Sequence, residues 1–266
     1  MTFLVTGATG NVGSELARLL ADRGLPVRGV SRRPPAEVAL GVGVDSVHAD
    51  LLSAQTMAPA FAGVQAAFLL ASGNERELLE IAARQGVNRI VLLSTIAVQS
   101  RPDSSIGRDH RHCEQAVTDT AAEWTILRPT HFASNAKEWA PQIRSGSQVT
   151  GRQPDTALPV VSPTDIAAVA AEAMTAASYS QQYLHLTGPY AITARARLAT
   201  IGRVIGKTLR YVKTMADIEP HLHEISNIRD NPLPLEVVVT DTVRDVTGTT
   251  PESFEAWVRS HADTFR

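Results

Sequence analysis

The chain has 266 residues, 44% of them hydrophobic and 20% charged, with a formal net charge of -2. These values fit one large α/β domain, or a domain carrying a smaller lobe, with a substantial core, and they exclude collagen-like, low-complexity or extensively disordered organisation. The basic residues are scattered rather than clustered, which argues against nucleic acid as a partner.

Cys113 is the single cysteine, so neither an intrachain disulfide nor a multi-cysteine metal site is available, and no metal is expected. That usage suits a reducing cytoplasm. The opening residues already read as a strand, without a basic flank, apolar run and cleavage site, and no segment reaches about 18 consecutive apolar residues. The expectation is a chain that is neither exported nor embedded in a membrane.

Apolar runs of strand length alternate with segments of helical period through the first half, the pattern of βαβ units that build a doubly wound parallel sheet. Strands are predicted near residues 3–6, 26–30, 45–48, 66–71, 89–94 and 124–128. Between the first two, Val12, Leu16, Leu19 and Leu20 share one helical face, and Gly24 stands where a left-handed C-terminal cap belongs. The stretch 74–86 repeats this arrangement, with Asn74 as a cap, Leu78, Ile81 and Ala82 on the apolar stripe, and Gly86 closing it. Ser162 can cap a third helix, with Pro163 at its first position and Asp165 at its positive end. A seventh strand is predicted within 181–188. Beyond it lie a helix near 194–205, a proline-punctuated segment at 231–234, and a last helix from about Pro251 with Phe254, Trp257 and Val258 on one face.

Residues 6–13 read TGATGNVG, directly after the first strand and opening the first helix. A pyrophosphate needs backbone N–H groups at a helix N-terminus, where unpaired donors and the helix dipole both favour negative charge, and side chains there would block approach. Gly7 permits the turn, Gly10 the close passage of phosphate and Gly13 the tight helix contact, with Ala8, Thr9, Asn11 and Val12 completing the loop. The context points to a dinucleotide rather than to a merely structural turn.

The end of the second strand discriminates between the nicotinamide cofactors, since a carboxylate there accepts from a free ribose hydroxyl whereas arginine accommodates a phosphate. Here the residues are Ser31, Arg32 and Arg33, and a guanidinium fork matches a phosphate dianion. NADP(H) is therefore expected over NAD(H), the alternative being a solvated basic turn. Asp50 and Leu51 after the third strand are candidates to border the adenine, or Asp50 caps the next helix. Leu70, Ala71 and Ser72 end the fourth strand, where the strand order reverses and the crevice opens. Ser94, ending the fifth, joins them as a cofactor-binding candidate.

Taken in order, TGATGNVG, VSRRP, HADL, VNRIVLLSTIA, WTILRPTHFASN, VSPTDIAAVA and LHLTGP resemble the NmrA-like group of atypical short-chain dehydrogenases/reductases, over nearly the whole chain. The resemblance implies a Rossmann-type sheet with a smaller C-terminal substrate-binding lobe. One NAD(P)-binding domain is expected over 1–266, with its dinucleotide core mainly in 1–135 and its substrate lobe mainly in 136–160 and 190–266. Known members of the group include quinone, dye and phenylpropanoid reductases, and regulators that sense the dinucleotide.

Typical short-chain dehydrogenases use a YxxxK helix, in which tyrosine delivers a proton and lysine holds the ribose. Aligned on the LRP segment, this chain has Ile106 and His110 at those positions, with Glu114 one turn later. Isoleucine cannot donate a proton. His110 and Glu114, four apart, could pair and raise the imidazole pKa, or form a surface pair of little consequence. His112 is expected to be solvated and Cys113 to be a packed small side chain. Pro129, Thr130, His131, Phe132 and Asn135 follow the sixth strand and are expected beneath the nicotinamide, with His131 as a second candidate proton donor; the alternative is a buried loop. Trp139 begins the smaller lobe, whose residues 140–155 and 190–250 form the expected substrate wall, while Trp124 and Trp257 read as core.

The resulting expectation is an NADPH-dependent reductase that passes hydride to a small organic acceptor such as a quinone, conjugated carbonyl, imine or dye, with His110 and His131 as catalytic candidates. The alternatives are a non-catalytic NAD(P) sensor and, more weakly, a reaction without net redox change on the same scaffold. The expected partner is a small molecule, and the expected state is a monomer or a homodimer.

Overall fold

A computed structural model describes residues 2–34, 40–151, 154–214 and 232–266. Asn231 of the proline-punctuated segment lies outside the described residues. The chain forms two compact units, one of Met1–Pro129 with Pro163–His185 and one of Thr130–Ser162 with Leu186–Arg266.

In chain order the first unit contains β1 (Thr2–Val5), α1 (Asn11–Asp22), β2 (Val27–Ser31), β3 (Val44–His48), α2 (Ala54–Phe61), β4 (Val64–Leu70) and α3 (Glu75–Arg84). It continues with β5 (Arg89–Leu93), α4 (Ala97–Ser100), α5 (Ser105–Thr118) and β6 (Glu123–Pro129). The second unit then supplies α6 (Ala140–Ser145), β7 (Gln148–Gly151) and β8 (Ala157–Leu158), before α7 (Pro163–Thr175) and β9 (Gln182–Leu186) complete the sheet. The strand order is β3-β2-β1-β4-β5-β6-β9, and the pairings from β3 to β6 are parallel. The chain therefore reverses direction across the sheet between β1 and β4, which is where an open α/β sheet has its ligand crevice.

Alternation along the strands sends Leu4, Ala67, Leu69, Ile90, Leu92 and Ile126 to one face, where they pack with Met57 and Phe61 of α2, Leu78 and Ile81 of α3, and Val117 of α5. On the other face α1 and α7 pack against each other and onto the strands. Both faces are thus covered, as the near-continuous apolar strands require. Gly24 and Gly86 close α1 and α3 in the left-handed conformation, at φ +73° and +81°. Trp124 is half-buried against this core and meets Tyr183 edge to face.

The second unit has its own core around Trp257, which is fully buried among Ile143, Val149, Leu198, Ile201, Phe254 and Phe265. Short strands frame it: β7 pairs in parallel with β11 (Arg210–Lys213), and β8 antiparallel with β10 (Ile192–Thr193). The helix α8 (Ala194–Ile205) begins at Thr193, whose hydroxyl accepts from the Ala196 N–H. Ser253 does the same for Ala256 at the start of the helix Phe254–Ser260. These caps satisfy donors that helix geometry leaves open.

Candidate active site

The end of β1 is anchored by Thr6, whose buried hydroxyl donates to the Phe68 carbonyl at 2.9 Å and accepts from the Leu70 N–H at 3.0 Å. The turn that follows depends on its glycines for different reasons. Gly7 has φ +61°, and a Cβ there would lie 2.5 Å from Leu70 Cδ1. A Cβ on Gly13 would lie 2.2 Å from the Gly7 carbonyl oxygen, so helix and turn touch through bare backbone. Gly10 is exposed, and the nearest atom to an added Cβ is 3.2 Å away. Internal packing thus demands less of Gly10 than of the other two. Gly10 is also the N-cap of α1 and offers no side-chain cap, so the helix start presents backbone donors without a covering side chain. An anionic diphosphate suits such a surface in sign. Thr9 and Asn11 are exposed around it, whereas the side chains of Ala8 and Val12 are buried packing groups.

The end of β2 lies against this turn: the Ala8 N–H donates to the Val30 carbonyl, and a Cβ on Gly29 would meet Ala8 Cβ at 2.9 Å. Ser31 is buried, and its hydroxyl accepts from the Arg33 N–H at 3.0 Å. The exposed guanidinium groups of Arg32 and Arg33 have no ion-pair partner among the described residues. After β3, Asp50 Oδ1 accepts from the Leu52 N–H at 3.1 Å, closing a local turn. The cap of α2 is Ser53, so Asp50 is not its N-cap residue. Leu51 is half-buried against the core.

Leu70, Ala71 and Ser72 leave β4 half-buried, and the loop they start is held by Glu75, which sequence reasoning missed. The Glu75 carboxylate, only 2% exposed, accepts from the Ser72 hydroxyl at 2.9 Å, the Gly73 N–H at 3.0 Å and, closer still, the Ser72 N–H. Asn74 stands at the N-cap of α3 as expected, but its side chain makes no cap hydrogen bond and donates its amide to the Leu51 carbonyl. The available signal was a carboxylate in the first turn of a helix, where it complements unpaired N–H groups. Cys113 is buried and donates to the Asp109 carbonyl; burial, then the neighbouring Glu75 carboxylate, pushes its thiol up to about 12. It is a packed, unreactive side chain.

Glu114 does not pair with His110. Its buried carboxylate receives Arg128 Nε at 3.0 Å and Nη2 at 2.5 Å, and the Ser94 hydroxyl at 2.6 Å. A bidentate guanidinium from the neighbouring strand outcompetes an imidazole one helical turn away. His110, half-buried, donates Nδ1–H to the Ile106 carbonyl at 3.0 Å, which leaves Nε2 as its exchangeable nitrogen. His112 is exposed. Arg128 also lies over the Tyr183 ring at 4.1 Å; burial, then the Arg128 charge, holds His185 below the usual imidazole value.

Pro129 ends β6, buried within the first unit. In the second unit, Thr130 donates its hydroxyl to the Pro159 carbonyl at 3.0 Å, the His131 carbonyl accepts from Val161, and the Ala133 N–H returns to the Val161 carbonyl. Phe132 is thereby paired with Val161 in a parallel bridge. His131, Phe132 and Asn135 are half-buried. Among the described residues no cluster of His, Cys, Asp and Glu is arranged to hold a metal, and no helix is long and apolar enough to cross a membrane.

Residues 7–177 match a protein family described as NAD(P)H-binding. The (4-alkanoyl-5-oxo-2,5-dihydrofuran-3-yl)methyl phosphate reductase of Streptomyces griseus subsp. griseus is 36% identical, over 98% of both chains. The NAD(P)H azoreductase of Xenophilus azovorans is 27% identical, again over 98% of both. The solved structure of an NADPH-dependent quinone oxidoreductase from Escherichia coli, complexed with NADPH, has the same fold, with a TM-score of 0.80 at 22% identity over 98% of this chain and 99% of that one. With its glycine-led helix start at the reversal of strand order, the chain belongs to the NAD(P)H-binding family, in the NmrA-like group of atypical short-chain dehydrogenases/reductases, and is an NAD(P)H-dependent oxidoreductase.

Proposed function

We propose that the protein is a reductase that prefers NADPH and reduces a small, strongly conjugated carbonyl compound. The observation that carries the cofactor preference is the pair of exposed guanidinium groups, Arg32 and Arg33, at the end of β2 beside the glycine turn. Arginine supplies a planar, permanently charged fork for a ribose phosphate, and an acidic residue selecting a free hydroxyl is absent from Ser31–Arg33. The open backbone donors of the first turn of α1, beyond the Gly10 N–H that the Gly7 carbonyl already accepts, would hold the diphosphate, and Leu70, Ala71 and Ser72 would contact the ribose and phosphate portion. Bound NADPH supplies the hydride.

The acceptor class follows from what the site lacks. With Ile106 at the position of the proton-donating tyrosine, the chain favours acceptors that take hydride without a strong acid. The compound named for the Streptomyces relative is of this kind: its ring double bond is conjugated to a ring carbonyl and an alkanoyl carbonyl. Hydride at the β-carbon leaves negative charge delocalised over two oxygens. Quinones, imines and dyes meet the same requirement less closely. His110, through Nε2, is the residue assigned to exchange the final proton. The enzyme's own contribution is then chiefly alignment of the reacting carbons and stabilisation of developing oxyanion charge.

The test is consumption of NADPH, followed by its near-ultraviolet absorbance, against doubly activated butenolides, simple enones, quinones, imines and triarylmethane dyes. The reading expects fastest turnover with the doubly activated alkene and a lower kcat/KM with NADH. Turnover confined to the dyes, or equal use of both cofactors, would contradict it.

A further inference from the structure

The expected pairing of Glu114 with His110 gives way to an arrangement that fixes the chemistry of Ser94. Ser94 follows the carboxyl end of β5, is 5% exposed, and is tied to β6 by its N–H bond to the Leu127 carbonyl at 2.8 Å. Its hydroxyl lies 2.6 Å from Glu114 Oε1, a length typical of a hydroxyl bonded to a carboxylate. The same carboxylate takes both Arg128 nitrogens and is acceptor-only, so the proton in the short contact belongs to Ser94. A serine hydroxyl has one proton and two lone pairs. With the proton committed to Glu114, what Ser94 can offer a ligand is acceptance only.

The direction of the sheet says which part of a ligand meets it. Arg32 and Arg33 stand at the end of β2, on one side of β1, while β4 and β5 lie in that order on the other side. A dinucleotide whose diphosphate sits at the start of α1 and whose adenosine half extends toward β2 must send its nicotinamide half over β4 toward β5. That half carries hydrogen-bond donors, namely its ribose hydroxyls and carboxamide N–H groups. Resting on the cofactor reading above, we propose that Ser94 is an oriented hydrogen-bond acceptor for a donor on the nicotinamide half of the cofactor, and that Glu114, itself clamped by Arg128, is the positioning residue that sets its polarity.

The experiment compares two ligands by calorimetry: NADPH, and adenosine 2′,5′-bisphosphate, which carries the phosphorylated adenosine half and no nicotinamide. Ser94→Ala should weaken NADPH by about 3- to 10-fold, the worth of one neutral hydrogen bond, and leave the bisphosphate unchanged. An equal loss for both ligands, or a loss for neither, overturns the proposal. Should Ser94→Ala not fold, Ser94→Cys, which keeps the shape and accepts weakly, carries the same comparison. In a background carrying Glu114→Leu with Arg128→Met, which removes the acceptor without stranding a buried charge, the cost of Ser94→Ala should shrink, because the hydroxyl is no longer held; an undiminished cost removes Glu114 from the proposal. If the wild-type protein binds neither ligand, the failure is that of the cofactor reading itself, a result distinguishable from all of these.

Discussion

Arg128 grips the Glu114 carboxylate through two nitrogens, and the two side chains are only 15% and 5% exposed. Removing one partner of such a pair leaves the other charge buried without compensation, which costs about 3–5 kcal/mol. Arg128→Met should therefore lower the urea midpoint sharply. Replacing both residues by apolar ones of similar volume should restore most of the loss, and failure to recover would mean the pair contributes more than charge compensation.

The three glycines of the opening turn should separate stability from binding. Gly13→Ala drives a methyl group into the Gly7 carbonyl and should cost about 1–3 kcal/mol despite the better helix propensity of alanine. Gly10→Ala meets only a 3.2 Å contact and should cost less stability while weakening NADPH markedly, because its methyl group covers the helix start. Denaturant unfolding and calorimetry on the two variants check this ordering.

Glu75 accepts from the Ser72 hydroxyl and the Ser72 and Gly73 amides, so Glu75→Ala strands several donors of the β4–α3 loop. A loss of about 1–3 kcal/mol is expected, with Glu75→Gln recovering part of it through its remaining carbonyl. Amide exchange at Ser72 and Gly73 should accelerate in the alanine variant.

Cys113 should resist alkylation by iodoacetamide in the folded protein and react promptly in denaturant, since its thiol is buried and pushed up to about 12. The linked pH effect has a definite sign. As pH rises past the ordinary thiol value, the unfolded chain loses this proton first, so Cys113 favours unfolding increasingly up to about pH 12. Cys113→Ala should flatten that part of the stability profile.

Much of this was legible in the sequence because parallel strands buried on both faces read as apolar runs, and βαβ units announce themselves by switching period. All seven sheet strands lie close to where those runs stand, and Gly24 and Gly86 end their helices as their positions suggest. The helix α2 was anticipated only as a helix following Asp50, without its bounds or its Ser53 cap, because Pro59 sits inside it and its short Ala-rich stretch has little periodicity. The strands β7, β8, β10 and β11, of two to four residues each, are too short for alternation to register. At the site, helical spacing suggested His110 for Glu114, but a local rule cannot see a guanidinium that arrives from another strand. The Ser72–Glu75 contact was local in sequence and still hidden, since a carboxylate at a helix start is equally at home facing water.

The central claim is that the start of α1 holds a dinucleotide whose adenosine phosphate is met by Arg32 and Arg33. Calorimetric titration of the purified protein with NADPH and with NADH, repeated on Arg32→Glu, tests it most directly. Tighter binding of NADPH, with the preference abolished or reversed in Arg32→Glu, is the predicted result; no heat of binding for either nucleotide, or a preference that Arg32→Glu leaves intact, would contradict it.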